Sequence, residues 1–189
     1  MSKLSFVRGY LPYIVFAALA SFAWQWGALA ALALGLVSLV RQRTSGVPVG
    51  ALVLDIGTAV FFALLTALAF AAPHSPVHHY TGALSFGWLA LIAWGSLAVR
   101  RPFTLGIAKL GAPRELWGNP GFVRVNLVIT TVWAVCFAVA AVIGVILAIN
   151  NVGALITTLV QVAAFVLPAA FTIRYPKIVQ ARYAAANGS

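Results

Sequence analysis

The chain has 189 residues, of which 63% are apolar and only 7% charged, with a mean hydropathy of +1.03. A soluble domain of that size needs far more surface charge, so the composition describes an integral membrane protein. Twelve Lys and Arg against two Asp and Glu would suggest nucleic acid in a soluble chain, but here they cluster between apolar runs and at the ends. There they set topology and meet anionic headgroups, and no nucleic-acid partner is expected.

The first stretch, MSKLSFVRGYLPYIVF, has the basic start and apolar continuation of a signal peptide. The apolar run continues to Val40 without a convincing small-residue cleavage site, so it reads as retained membrane structure. From Gly9 to Val40 there are 32 residues without a formal charge, more than one helix of ~20 residues needs. Trp24-Gln25-Trp26-Gly27 interrupts this run with interfacial aromatics, an amide and a helix-weakening glycine. The pattern predicts two short helices, 10–22 and 26–40, joined by a tight turn; one long tilted helix is the alternative. Arg41 to Gly46 form a basic turn, and Pro48 stands where a helix starts. A third span follows over 49–71. The loop AAPHSPVHHYTG carries no Lys, Arg, Asp or Glu, and a fourth span covers 83–99.

Residues 100–124 form the one long polar segment, with Arg100, Arg101, Lys109, Arg114 and Arg124 beside Glu115. After Pro102 a short helix would lay Phe103, Leu105, Ile107 and Leu110 on the membrane surface with Lys109 toward water. A fifth span covers 125–149, Asn150-Asn151 makes an uncharged turn, and a sixth span covers 152–173 before a tail with Arg174, Lys177 and Arg182. The expected fold is therefore all-α: a single polytopic membrane helix bundle of six transmembrane helices, with an amphipathic interfacial segment between the fourth and fifth. With six spans, all twelve basic residues fall on one face, which the positive-inside rule assigns to the cytoplasm together with both termini.

Asp55 is the one acid within an apolar run. At ~1.5 Å of rise per residue it lies about 8–12 Å deep, where an ionised carboxylate costs up to ~2.5–3.5 kcal/mol and must face the bundle or water. It is either a proton- or cation-handling group, or it pairs with Arg124, Asn126 or Arg101 at the same level; the structural pair is the favoured reading. Gln161 is the other unusual group, because an amide near mid-span wants several partners; an interhelical clasp is favoured over a cavity shared with Asp55. Thr58, Thr130, Thr131, Thr157 and Thr158 read as packing residues. Val49-Gly50-Ala51-Leu52 recurs as Val152-Gly153-Ala154-Leu155, which would fit an inverted repeat, although these residue types are abundant enough to match by chance. His74, His78 and His79 share the uncharged loop without an acid or thiol, so no metal site is assigned. The single Cys136 excludes an intrachain disulfide. No nucleophile–base pair or phosphate-binding loop is present, so neither catalytic residues nor a cofactor are expected.

The order of several short motifs resembles the bacterial intracellular septation protein A family of small multi-span inner-membrane proteins. They are Tyr10-Leu11-Pro12-Tyr13, Arg100-Arg101-Pro102, Ile107-Ala108-Lys109-Leu110, Pro113-Arg114-Glu115-Leu116-Trp117 and Arg124-Val125-Asn126-Leu127, followed by Trp133 and Phe137. Gly118 to Phe122 stand as an insertion relative to that pattern, and the loop of 71–82 lacks the family's usual charges. The resemblance implies envelope maintenance and septation in the bacterial cytoplasmic (inner) membrane, through contacts with division or elongation proteins, and supplies no catalytic residues.

The expected function is thus non-enzymatic, with Arg100, Arg101, Lys109, Arg114 and Trp117 contacting membrane lipids, anionic headgroups or an envelope or division protein, and with homo-oligomerisation left open. The competing expectation is a small transporter or ion channel with Asp55 and Gln161 on its path.

Overall fold

The computed structural model describes residues 10–187, and every regular element among them is helical. Lys3 and Arg8 lie outside the described residues. The elements are α1 (Leu11–Thr44), α2 (Val53–Ala71), α3 (Thr81–Ala98), the short α4 (Phe103–Lys109), α5 (Pro120–Ile149) and α6 (Ala154–Asn187).

Helix α1 begins with Pro12 in its first turn, where the missing N–H costs nothing. It breaks at Ala23, whose φ of -160 and ψ of 99 are extended rather than helical. The two pieces lie side by side: Pro12 Cγ is 3.7 Å from where a Cβ on Gly35 would stand. The interruption expected at Trp24 to Gly27 thus falls at Ala23, and helix resumes immediately, so that Trp24 Nε1 donates to Pro73 O at 3.0 Å.

Among the described residues, five helices are long and apolar enough to cross a membrane: Ala23–Thr44, Val53–Ala71, Pro76–Ala98, Pro120–Ile149 and Ala154–Arg182. The piece 11–22 is only about 18 Å long at ~1.5 Å per residue, well short of a hydrocarbon core of ~30 Å. Helices α1, α5 and α6 also outrun the apolar runs that announced them. α1 runs on to Thr44, so Arg41 to Thr44, expected in a basic turn, form its last helical turn. α5 starts at Pro120 instead of near 125, with the Asn119 side chain accepting from Gly121 N and Phe122 N as a cap. α6 continues past 173 through Arg174, Lys177 and Arg182, because Lys, Arg, Ala and Gln propagate a helix as well in water as in lipid.

Helix α1 packs on α2, α3 packs most extensively on α5, and α5 packs on α6. Small residues allow the α3–α5 approach: a Cβ on Gly144 would meet Ala83 Cβ at 3.1 Å and its Cα at 3.3 Å. The centre of the bundle is aromatic. Tyr10, Tyr13 and Phe16, spaced three apart on one helical face, are all buried. Tyr10 stacks on Trp133 with centroids 5.5 Å apart and meets Phe165 edge-on at 4.8 Å. Tyr13 and Phe16 both lie against Phe62, at 5.0 and 5.6 Å. Such pairs add ~0.5–1.5 kcal/mol each beyond the area they bury, which matters because lipid is as apolar as the helix faces and gives little hydrophobic drive.

The connections sort by charge. Arg41, Arg43, Arg100, Arg101, Lys109, Arg114, Arg124, Arg174, Lys177 and Arg182 all lie at one end of the bundle, hereafter the basic end. The opposite connections, 72–80 and 150–153, have no Lys, Arg, Asp or Glu.

Candidate functional site

At the basic end, Arg100 takes the left-handed backbone conformation (φ 55) and turns the chain out of α3. Phe103 follows, 2% exposed, with its N–H donating to Ser96 Oγ at 3.2 Å. Thr104 Oγ1 lies 2.9 Å from Asn126 O, to which it donates, and 2.7 Å from Thr130 Oγ1, which fixes α4 to α5. On its other side α4 rests on the turn Val49–Ala51. A Cβ on Gly106 would overlap the Gly50 carbonyl oxygen and stand 2.6 Å from its carbon, so only glycine permits this contact.

Beyond α4 the chain wraps around Trp117, whose Nε1 donates to Ala112 O at 3.1 Å. Lys109 Nζ is 5.4 Å and Arg114 Cζ 5.8 Å from that ring, both within cation–π range. Between α4, this loop, α5 and α6 lies a cavity of about 590 Å³. Ile107, Leu116, Phe122, Val125, Ile129 and Val179 supply apolar wall. Its buried polar groups are already engaged. Asn126 Nδ2 donates to Phe122 O at 2.9 Å, and Thr172 Oγ1 donates to Pro168 O at 2.7 Å while accepting from Trp133 Nε1 at 2.9 Å. What the cavity offers an occupant is therefore mainly apolar surface, of the size that holds a small amphiphile or part of a lipid chain. Cations stand beside it in sequence: Lys109 next to Ala108, Arg114 two residues from Ala112, Arg124 next to Val125 and Lys177 next to Pro176.

The four residues expected to form an intramembrane polar site are not brought together. Asp55 Oδ1 accepts from Gln42 Nε2 at 2.8 Å, and Gln42 also reaches Ser38 Oγ at 3.3 Å. Asp55 makes no ion pair with Arg124 or Arg101 and no hydrogen bond with Asn126 among the described residues. Arg124 is exposed, Asn126 is buried and bonded within α5, and Gln161 lies on α6 toward the uncharged end, against Gly82. Gln42 was hidden between Arg41 and Arg43, where it read as part of a basic turn. The available signal was positional, since residues flanking a short connection at matching distances face one another across a helical hairpin. Thr104 was equally unannounced among the apolar residues of its helix.

Arg100 and Arg101 are exposed at the α3–α4 turn. His78 and His79 have ring centroids 3.8 Å apart, and His78 Nδ1 lies 2.7 Å from Ser75 O. The described residues include no group of three His, Cys, Asp or Glu able to hold a metal ion. No protein-family model, curated protein or solved structure matches this chain.

Proposed function

We propose that this chain is a non-enzymatic multi-pass protein of the bacterial cytoplasmic membrane that holds an anionic lipid at its basic end, and supports envelope maintenance or septation through that contact. The observation that carries this reading is the cavity under α4: mainly apolar walls whose buried polar groups are already engaged, with Lys109, Arg114, Arg124 and Lys177 within two residues in sequence of its lining residues. An amphiphile with an acyl chain and a negative head matches both parts. In the same reading the basic end faces the cytoplasm. The piece 11–22 then acts as a short sixth span that brings the N-terminus back to that face, with the membrane thinned or the segment shielded by its neighbours. The septation role rests on the motif resemblance alone.

The test is lipid mass spectrometry on protein purified in mild detergent. Lys109→Gln with Arg114→Gln should reduce co-purifying anionic lipid relative to zwitterionic lipid several-fold; an unchanged ratio removes the proposal. A second reading, a small transporter or ion channel, draws on Asp55, a carboxylate inside an apolar helix with an amide partner and no cation among the described residues. Proteoliposomes loaded with a pH-sensitive dye distinguish it: a proton leak lost in Asp55→Asn supports transport, whereas tight vesicles with the native chain argue against proton passage.

A further inference from the structure

Two cavities, of about 410 and 370 Å³, lie between α1, α3, α5 and α6 toward the uncharged end, and Thr81, Gly82, Phe86 and Gln161 line both. The smaller reaches the connections at His79 and Asn151; the larger extends inward to Tyr13 and Phe165. Gln161 stands between them, its Nε2 2.7 Å from where a Cβ on Gly82 would be, a position open only because residue 82 has no side chain. Its amide makes no hydrogen bond among the described residues. Gln161 is half-buried, and an amide left without partners in an apolar recess is costly, so a guest able to hydrogen-bond is favoured there.

The neighbouring polar groups have capacity to spare. Thr81 Oγ1 donates to His78 O at 3.0 Å and Ser85 Oγ to Thr81 O at 2.8 Å, so each hydroxyl oxygen can still accept. Tyr13 Oη accepts from Thr58 Oγ1 at 3.4 Å, leaving its own proton to donate. Phe16, Phe86 and Phe165 provide flat apolar wall. No Lys, Arg, Asp or Glu lines either cavity.

We infer that this recess, around Gln161, Thr81, Ser85 and Tyr13, binds a small neutral molecule that carries both hydrogen-bonding and apolar parts and enters from the uncharged end. An ion is disfavoured because no Lys, Arg, Asp or Glu lines the recess, and His79 touches only the smaller cavity, at the connection. A hydrocarbon chain is disfavoured because it would leave Gln161 unsatisfied.

The test uses thiol reagents as probes in full-length protein carrying Cys136→Ala, which removes the native thiol. Ser85→Cys and Thr81→Cys, both at buried positions, are placed in the recess, and Gly118→Cys at the basic end is the open reference. The probes are methyl methanethiosulfonate, small and neutral, and its anionic sulfonatoethyl and cationic trimethylammonioethyl analogues. The neutral reagent should modify both recess cysteines, with a preference over either charged reagent at least ~tenfold greater than at Gly118→Cys. Adding Gln161→Leu should slow neutral modification of Ser85→Cys by roughly three- to tenfold, the worth of one hydrogen bond. Equal reaction with charged and neutral reagents would mean an open aqueous vestibule, and no reaction at either recess position a dry or lipid-filled one. Either result overturns the inference, as does indifference to Gln161→Leu.

Discussion

Gly106→Ala adds one methyl group where α4 meets the turn below it, and its effect follows from the contact distances. The new Cβ would overlap Gly50 O and stand 2.6 Å from Gly50 C and 3.0 Å from Ala51 Cα. Ordinary carbon contacts lie at ~3.5–4.0 Å. These neighbours are backbone and cannot rotate aside, so α4 must retreat by about 1 Å. Retreat lengthens the bonds that hold it: Thr104 Oγ1 to Asn126 O at 2.9 Å, Thr104 to Thr130 at 2.7 Å and Phe103 N to Ser96 Oγ at 3.2 Å. Overpacking costs ~1–3 kcal/mol, and each weakened bond forfeits up to ~0.5–1.5 kcal/mol, so a loss of ~2–5 kcal/mol is expected. At ~2–4 °C per kcal/mol for a chain of this length, the midpoint of thermal unfolding in detergent should fall by at least about 4 °C. Gly95→Ala is the control, since a Cβ there meets nothing within 4 Å. The measurement is the temperature at which half of the protein remains monodisperse by size-exclusion chromatography. If Gly106→Ala and Gly95→Ala melted together, the docking of α4 on the turn would be refuted, and with it one wall of the lipid cavity.

At Asp55, the amide partner predicts an asymmetry that an ion pair would not. Asp55→Asn should leave the same thermal midpoint within a few degrees, because Gln42 can donate to an amide oxygen as well, whereas Gln42→Leu strands the carboxylate and should cost ~1–3 kcal/mol. Equal destabilisation by the two changes would point to a cation on Asp55 instead. Between α3 and α5, Gly144→Leu drives a branched side chain into Ala83, already 3.1 Å from the first added carbon, and should sharply reduce the monodisperse fraction. Gly153→Ala, with open space around it, should not.

Much of the architecture was legible in the sequence because the bilayer leaves backbone few options: apolar runs between basic or turn-forming stretches become helices. The break near Trp24 and the gathering of charge at one end follow from that constraint; the short helix after Pro102 is present, but Phe103, expected on the membrane surface, is buried in the bundle core. Helix ends were less legible, since composition marks where the bilayer stops and not where the backbone stops being helical, as Arg174 to Arg182 show. The polar site was least legible. Pairing Asp55 with Arg124 assumed that residues at one depth meet, but depth fixes only one of three coordinates. The partner came from the adjacent helix of the hairpin, at Gln42. Likewise Gln161 belongs to the level of Asp55 in neither depth nor direction, and sits instead beside Gly82.

The aromatic face of the 11–22 piece also has a bearing on the order of assembly. Tyr10 is in contact with Trp133 and Phe165, whose rings lie 5.5 and 4.8 Å away. Those residues leave the ribosome long after Tyr10, roughly 8–30 s later for Phe165 at ~5–20 residues per second. Until α5 and α6 arrive, Tyr10 has neither of these partners. The segment made earliest among the described helices thus closes the bundle late, as a wedge set between helices already in place.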